Sequence, residues 1–209
     1  MPVYFANPTK AGREAMDRRL IGAIATPAQG NLIDGIWAWV ADNGCFGKGY
    51  PGDAEYLGWL DAMAVHRDRC WLATAPDVVG DAAATLARSG PFLPEIRARG
   101  YPAALVAQDG LEDLTVPWDS FDVLFIGGTT AFKLGAAARR LAGEARSRGK
   151  PVHMGRVNSG KRFRYAAAIG CTSVDGTMLI FDPVRRLDEL LGWDRAERTQ
   201  LTMFGGDAA

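Results

Sequence analysis

The chain has 209 residues, 48% of them hydrophobic and 23% charged, which is the composition of a globular protein long enough to bury one sizeable core. Lys plus Arg and Asp plus Glu both number 24, so no global positive field announces a nucleic-acid binder, and any phosphate contact must come from a local basic patch. Cys45, Cys70 and Cys171 are widely spaced and form no Cys-x-x-Cys pair, which argues against a disulfide framework or a thiolate zinc site and fits a reducing cytoplasm. Met1-Pro2-Val3-Tyr4-Phe5 carries no basic and apolar leader, and no apolar run approaches a membrane span. A soluble cytoplasmic protein without a membrane partner is the expectation.

Short apolar runs rich in β-branched and aromatic residues predict eight strands: Val3 to Ala6, Leu20 to Thr26, Ile36 to Asp42, Cys70 to Ala75, Ala103 to Gln108, Val123 to Gly127, Pro151 to Met154 and Cys171 to Asp175. Between them, helical patterns run from Thr9 to Arg19, Asp53 to Arg67, Asp81 to Arg88, Thr130 to Arg148 and Ser159 to Ala168. Asp53, Asp81, Thr130 and Ser159 read as N-terminal caps, Gly149 and Gly170 as helix stops. Two crossovers, Pro27 to Gly35 and Leu111 to Asp122 with its Pro117-Trp118, are too brief for a full helix. Pro183 to Arg198 reads as a last helix covering the barrel, and Gly205 to Ala209 as a fraying end.

Alternation of strand and helix without a second compositional block predicts one α/β domain over 1–209. The strand count favours a compact (β/α)8 TIM-like barrel with some shortened crossovers over an open doubly wound sheet.

Five segments end apolar runs with a carboxylate, an amide or a glycine pair: Ala41-Asp42-Asn43-Gly44-Cys45-Phe46, Ala75-Pro76-Asp77, Val106-Ala107-Gln108-Asp109-Gly110, Phe125-Ile126-Gly127-Gly128-Thr129, and His153-Met154-Gly155-Arg156-Val157 leading to Ser173-Val174-Asp175-Gly176-Thr177. In a strand–helix repeat such strand ends meet on one face, where polar groups can converge on a small molecule.

In this order the segments resemble those of the tRNA-guanine transglycosylase superfamily, over about residues 41 to 177. They are more similar, in size and in lacking a zinc-binding subdomain, to the 7-deazaguanine DNA transglycosylases of DpdA type in phages and bacteria. The resemblance implies a pentosyltransferase that replaces guanine in DNA with a preQ0-like base through a covalent aspartyl intermediate, needing no cofactor and no metal. It implies Asp175 as nucleophile, Asp42 as acid and base, and Asp77, Gln108 and the backbone of Gly127 and Gly128 as contacts to the base. For a phage protein the compartment would be the host cytoplasm.

The residue types suit that chemistry on their own terms. A carboxylate attacking the anomeric carbon splits one hard step into two, and a second acidic group assists the departing and incoming bases. Met154 and Phe46 offer apolar surface for the flat face of a purine, and Asn43 a further ligand to sugar or base. Arg156, Lys161, Arg162 and Arg164, near the start of a helix, are candidates for phosphates flanking the target, with Lys48 and Tyr50 as lesser ones.

Bland readings stand beside these. Asp77 and Asp81 also fit caps or turns, Gln108-Asp109-Gly110 a turn, Met154 and Phe46 a core, and the arginines a solvated helix face. His153, one of two histidines, reads as packing or capping, and Lys133 with Arg139, Arg140, Arg146 and Arg148 as ordinary helix surface. A tRNA-acting transglycosylase, a free nucleoside or nucleotide glycosidase and a non-catalytic nucleic-acid-binding subunit remain alternatives.

Overall fold

The computed structural model describes residues 1–30, 33–47, 49–180 and 185–193. Eight parallel strands close into a barrel in sequence order: β1 (Val3–Ala6), β2 (Gly22–Ala25), β3 (Trp39–Ala41), β4 (Cys70–Thr74), β5 (Ala103–Ala107), β6 (Val123–Ile126), β7 (Val152–Met154) and β8 (Ser173–Asp175). All eight fall within the runs predicted from sequence. The last strand closes on the first, with Val3 opposite Ser173 and Phe5 opposite Asp175, so the sheet has no open edge and the open doubly wound alternative is excluded.

Alternation along each strand divides the core in two. Phe5, Val40, Leu72, Ala104, Val106, Val123 and Phe125 fill the barrel interior. The opposite faces, with Ala6, Trp39, Ala41, Leu105, Leu124, Met154 and Val174, pack against the outer helices.

Those helices are α1 (Lys10–Asp17), α2 (Asp53–Ala62), α3 (Ala82–Ser89), α4 (Phe92–Ala98), α5 (Thr130–Lys133), α6 (Ala136–Ser147) and α7 (Gly160–Ala168). Side-chain caps start four of them: Thr9 accepts from the Gly12 amide, Asp81 from Ala84, Thr129 from Phe132 and Ser159 from Arg162. Asp53 lies inside the first turn of α2 and Gly52 is the cap. Likewise Thr129, one residue before the expected Thr130, caps α5. Gly149 and Gly170, at φ 72° and 84°, end their helices in the left-handed conformation the sequence suggested.

Helix α4 was not legible because Pro94 reads as a breaker. In a first turn, however, a proline gives up no intrahelical hydrogen bond, and Phe92, Leu93 and Ile96 are buried. The single helix expected over Thr130 to Arg148 is broken at Leu134–Gly135, where Gly135 is extended and its carbonyl accepts from the Tyr165 hydroxyl at 3.1 Å. Among the described residues the two brief crossovers hold 3-10 turns, Pro27–Gln29, Leu111–Asp113 and Trp118–Ser120, and no longer helix. Residues 185–193 are helical, and Trp193 meets Phe163 of α7 with ring centroids 5.9 Å apart. The rest of the expected C-terminal helix and the fraying end lie outside the described residues, as does Lys48. No helix among the described residues is long and apolar enough to cross a membrane.

Candidate active site

The carboxyl ends of the strands surround a cavity of about 320 Å³ lined by Ile24, Val106 and Phe125 below and by Asp42, Asn43, Asp77, Gln108, Gly127, Gly128, Arg156 and Asp175 above. In a parallel barrel this is the face on which strand-end side chains and loops converge. The dispersed segments singled out in the sequence thus meet in one site.

Asp42 follows β3, tied in place by its own amide, which donates to the Ala25 carbonyl at 2.9 Å, and by the Gly44 amide, which donates to Oδ1 at 2.8 Å. Burial, and after it the charge of Asp175, push the Asp42 carboxyl up to about 7; Asp77 adds to the rise and the Gly44 amide opposes it. A carboxyl at that value exists in both protonation states near neutrality, which suits a group that must give and take a proton.

Asp77 is buried and cradled by two amides: Asn43 Nδ2 donates to Oδ1 at 2.9 Å and Gln108 Nε2 to Oδ2 at 2.6 Å. Burial outweighs both bonds and raises its pKa. The Asn43 amide also donates to the Ala75 carbonyl, and its Oδ1 accepts from the Cys45 amide; Gln108 Oε1 accepts from the Gly80 amide. Asn43 and Gln108 therefore line the cavity while fixing the Asp77 carboxyl. That is a supporting role beyond the direct ligand contacts expected from sequence.

Asp175 ends β8 and accepts from both sides. The Arg156 amide donates to Oδ1 at 3.0 Å, and His153 Nε2 lies 2.9 Å from Oδ2. A carboxylate only accepts, so the shared proton is assigned to Nε2, and Nδ1 accepts from the Ser173 hydroxyl at 2.8 Å. His153 is fully buried, with the Phe125 ring centroid 4.6 Å from its own. It is a polar support of Asp175, which corrects its reading as mere packing. Strand parity carried the signal, because 153, 155, 173 and 175 all face the interior.

The same parity overturns Met154 as a surface for a bound base. Met154 points outward into the layer between sheet and helices and is 1% exposed. Phe125, which the sequence reading missed, supplies the apolar ring inside the cavity. Phe46 does line the mouth. It is 62% exposed, and the Arg156 guanidinium lies 4.0 Å from its ring centroid.

Glycines let these groups approach. A Cβ on Gly127 would stand 2.6 Å from Val106 Cγ1, and one on Gly155 would stand 2.8 Å from the Phe125 ring and 3.3 Å from Asp175 Oδ2. Arg156, at φ 60°, adopts the left-handed backbone that a side-chain-bearing residue rarely takes. Its guanidinium donates to the Gly128 carbonyl, tying the β7 loop to the β6 loop.

Of the basic candidates among the described residues, Arg156 alone lines the cavity; Arg162 donates to the Arg156 carbonyl at 3.2 Å, and Lys161 and Arg164 are exposed on α7 away from the lining. Tyr50 is turned to Asp53 and Arg88. Lys133, expected on the surface, is buried. Among the described residues no group of three or more His, Cys, Asp or Glu is placed to hold a metal ion.

No family model matches the chain, and no curated protein matches it. Among solved structures it is similar to a BexX/CysO complex from Amycolatopsis orientalis, at 14% identity and TM-score 0.60, over 100% of this chain and 93% of that one. It is also similar to a GH113 beta-1,4-mannanase, at 13% identity and TM-score 0.46 over 84% of this chain and 86% of that one. A third likeness is to the Bacillus subtilis YkuI protein, with an EAL domain, at 16% identity and TM-score 0.44 over 91% and 49%. The first likeness is one of fold: the chain is a (β/α)8 barrel. The other two are too distant to bear on the site.

Proposed function

We propose that this barrel is a base-exchange transglycosylase that replaces guanine in a polynucleotide with a 7-deazaguanine base of the preQ0 kind. The observation that carries the reading is the pair Asp42 and Asp175 on one cavity, the charge of Asp175 helping to hold the Asp42 carboxyl near 7. An Asp175 oxygen attacks C1′ of the target nucleoside, the C1′–N9 bond breaks, and Asp42 gives its proton to the departing guanine. The incoming base binds in the vacated space, loses its N9 proton to Asp42, and attacks C1′ to displace Asp175. The polynucleotide backbone stays intact because only the glycosidic bond changes partners.

Asp77, oriented by Asn43 and Gln108, would take donors on the base edge, and Phe125 would meet its flat face. The target nucleotide must be unpaired or flipped for its C1′ to reach Asp175. Arg156 and Arg162 near the mouth would face the flanking phosphates. DNA is the preferred polymer on the resemblance of the five segments to the DNA-acting enzymes.

The test is release of labelled guanine from DNA and from matched RNA, with and without preQ0, by wild type and Asp175→Ala. Multiple-turnover release that needs both Asp175 and the incoming base supports exchange, and the polymer that releases it is the substrate. Release beyond one equivalent per enzyme without an incoming base indicates a glycosidase. A folded protein that binds either polymer and releases nothing refutes the proposal.

A further inference from the structure

A buried cation stands behind Asp175. Lys133, the last residue of α5, is 3% exposed, lies outside the cavity lining, and donates from Nζ to the Gly155 carbonyl at 2.9 Å. The amide on the other side of that same peptide unit is the Arg156 N–H, which donates to Asp175 Oδ1. One planar peptide therefore joins an ammonium to a carboxylate, and its plane fixes both bonds relative to each other. An ammonium on the carbonyl oxygen polarises the amide and strengthens its N–H as a donor.

Resting on the base-exchange reading, we infer that Lys133 is a positioning residue that works through the Gly155–Arg156 peptide to make Asp175 a better leaving group in the second half of the reaction. A stronger donor on Oδ1 favours the free carboxylate over the glycosyl ester, because an ester oxygen accepts more weakly than a carboxylate. The C1′–Oδ bond then breaks more readily as N9 of the incoming base attacks C1′; the electron pair returns to Asp175 and the N9 proton passes to Asp42. The charged lysine thus shortens the life of the covalent species.

The lysine is also placed to titrate. Arg156 from the β7 loop and Arg162 from α7 face it as like charges, and Asp175 from β8 opposes them. Burial and the two guanidinium groups bring it down to about 8.

The experiment forms the covalent complex on a guanine-containing oligonucleotide, removes the freed guanine, adds preQ0, and follows ester decay from pH 6 to 10 in wild type, Lys133→Met and Lys133→Arg. Ionisation of Asp42 cancels in the ratio of two such profiles. The wild-type to Lys133→Met ratio is expected to be about tenfold below pH 8 and to fall towards one above it. Lys133→Arg, charged throughout, should keep the fast decay to pH 10. A ratio that does not change with pH is the mark of packing alone and overturns the inference.

A second measurement needs no catalysis and no variant. The Arg156 backbone amide resonance of wild type should show an inflection near pH 8, and its absence also overturns the inference. Failure of wild type to form any adduct on Asp175 refutes base exchange and the leaving-group role with it. The Arg156 titration then tells whether the coupling itself exists, so the two failures are distinguishable.

Discussion

Replacing Asp42 by asparagine should make the protein more stable while sharply lowering its activity, and the gain should depend on pH in a way fixed by the site. In the folded chain the Asp42 carboxyl is raised from 3.8 to about 7. At low pH both folded and unfolded chains hold this proton, and the group has no effect. As pH rises past 3.8 the unfolded chain releases it first, so the folded state loses stability steadily until the folded carboxyl ionises near 7, after which the loss is constant.

At about 1.4 kcal/mol per pKa unit, a rise of about three units is a cost of roughly 4 kcal/mol, and the partial exposure of the side chain trims it to about 2–4 kcal/mol. Asparagine keeps an oxygen for the Gly44 amide and removes the ionisation. Urea and thermal denaturation of wild type and Asp42→Asn between pH 4 and 8.5 should therefore diverge with rising pH. Above pH 7 the variant should melt higher by about 5–15 °C. The reasoning is refuted if the difference is the same at pH 4.5 and pH 8. Guanine release by the same variant should fall by about 10²–10⁴.

Met154→Leu, a volume-conserving change in the outer layer, should leave guanine release unchanged and cost less than about 1.5 kcal/mol, whereas Phe125→Ala should raise KM for the incoming base; the two assays together check the parity of β6 and β7. Gly155→Ala should drive a methyl into the Phe125 ring and destabilise by about 1–3 kcal/mol, with kcat falling as the Asp175 seat shifts; denaturation and steady-state kinetics read both. Arg156→Gly relieves the left-handed backbone yet keeps the amide on Asp175. Stability should hold or rise by about 1 kcal/mol, while polynucleotide binding weakens and its salt slope falls by about one, as a titration at several salt concentrations would record.

The barrel was legible because its strands are short, apolar and bounded by turn residues, and because Asp81 and Ser159 announce helix starts in the plainest way. What failed were features that depend on neighbours. A helix beginning Pro91-Phe92-Leu93-Pro94 looks broken until its first turn is seen to need no amide at the proline. The site carboxylates were legible as strand ends, but their partners were not. Met154 stands between two inward positions, and only the alternation of β7 decides that His153 and Gly155 reach Asp175 while the sulfur does not. Lys133 looked like surface because it sits among Arg139, Arg140 and Arg146 in sequence. The break at Gly135 separates it from that helix, and its ammonium is buried against the Gly155 carbonyl.

The closure of β8 on β1 makes chemical competence a report on the whole chain. Val3 pairs with Ser173 and Phe5 with Asp175, and the Tyr4 hydroxyl donates to the carbonyl of Val157, 153 residues away. Contacts this distant in sequence form late, after the intervening loops have been drawn together. A chain stripped of its first six residues would keep both carboxylates and every cap, yet lack the strand that pairs with β8. A partly folded barrel would then carry no nucleophile in working order with which to attack a polynucleotide.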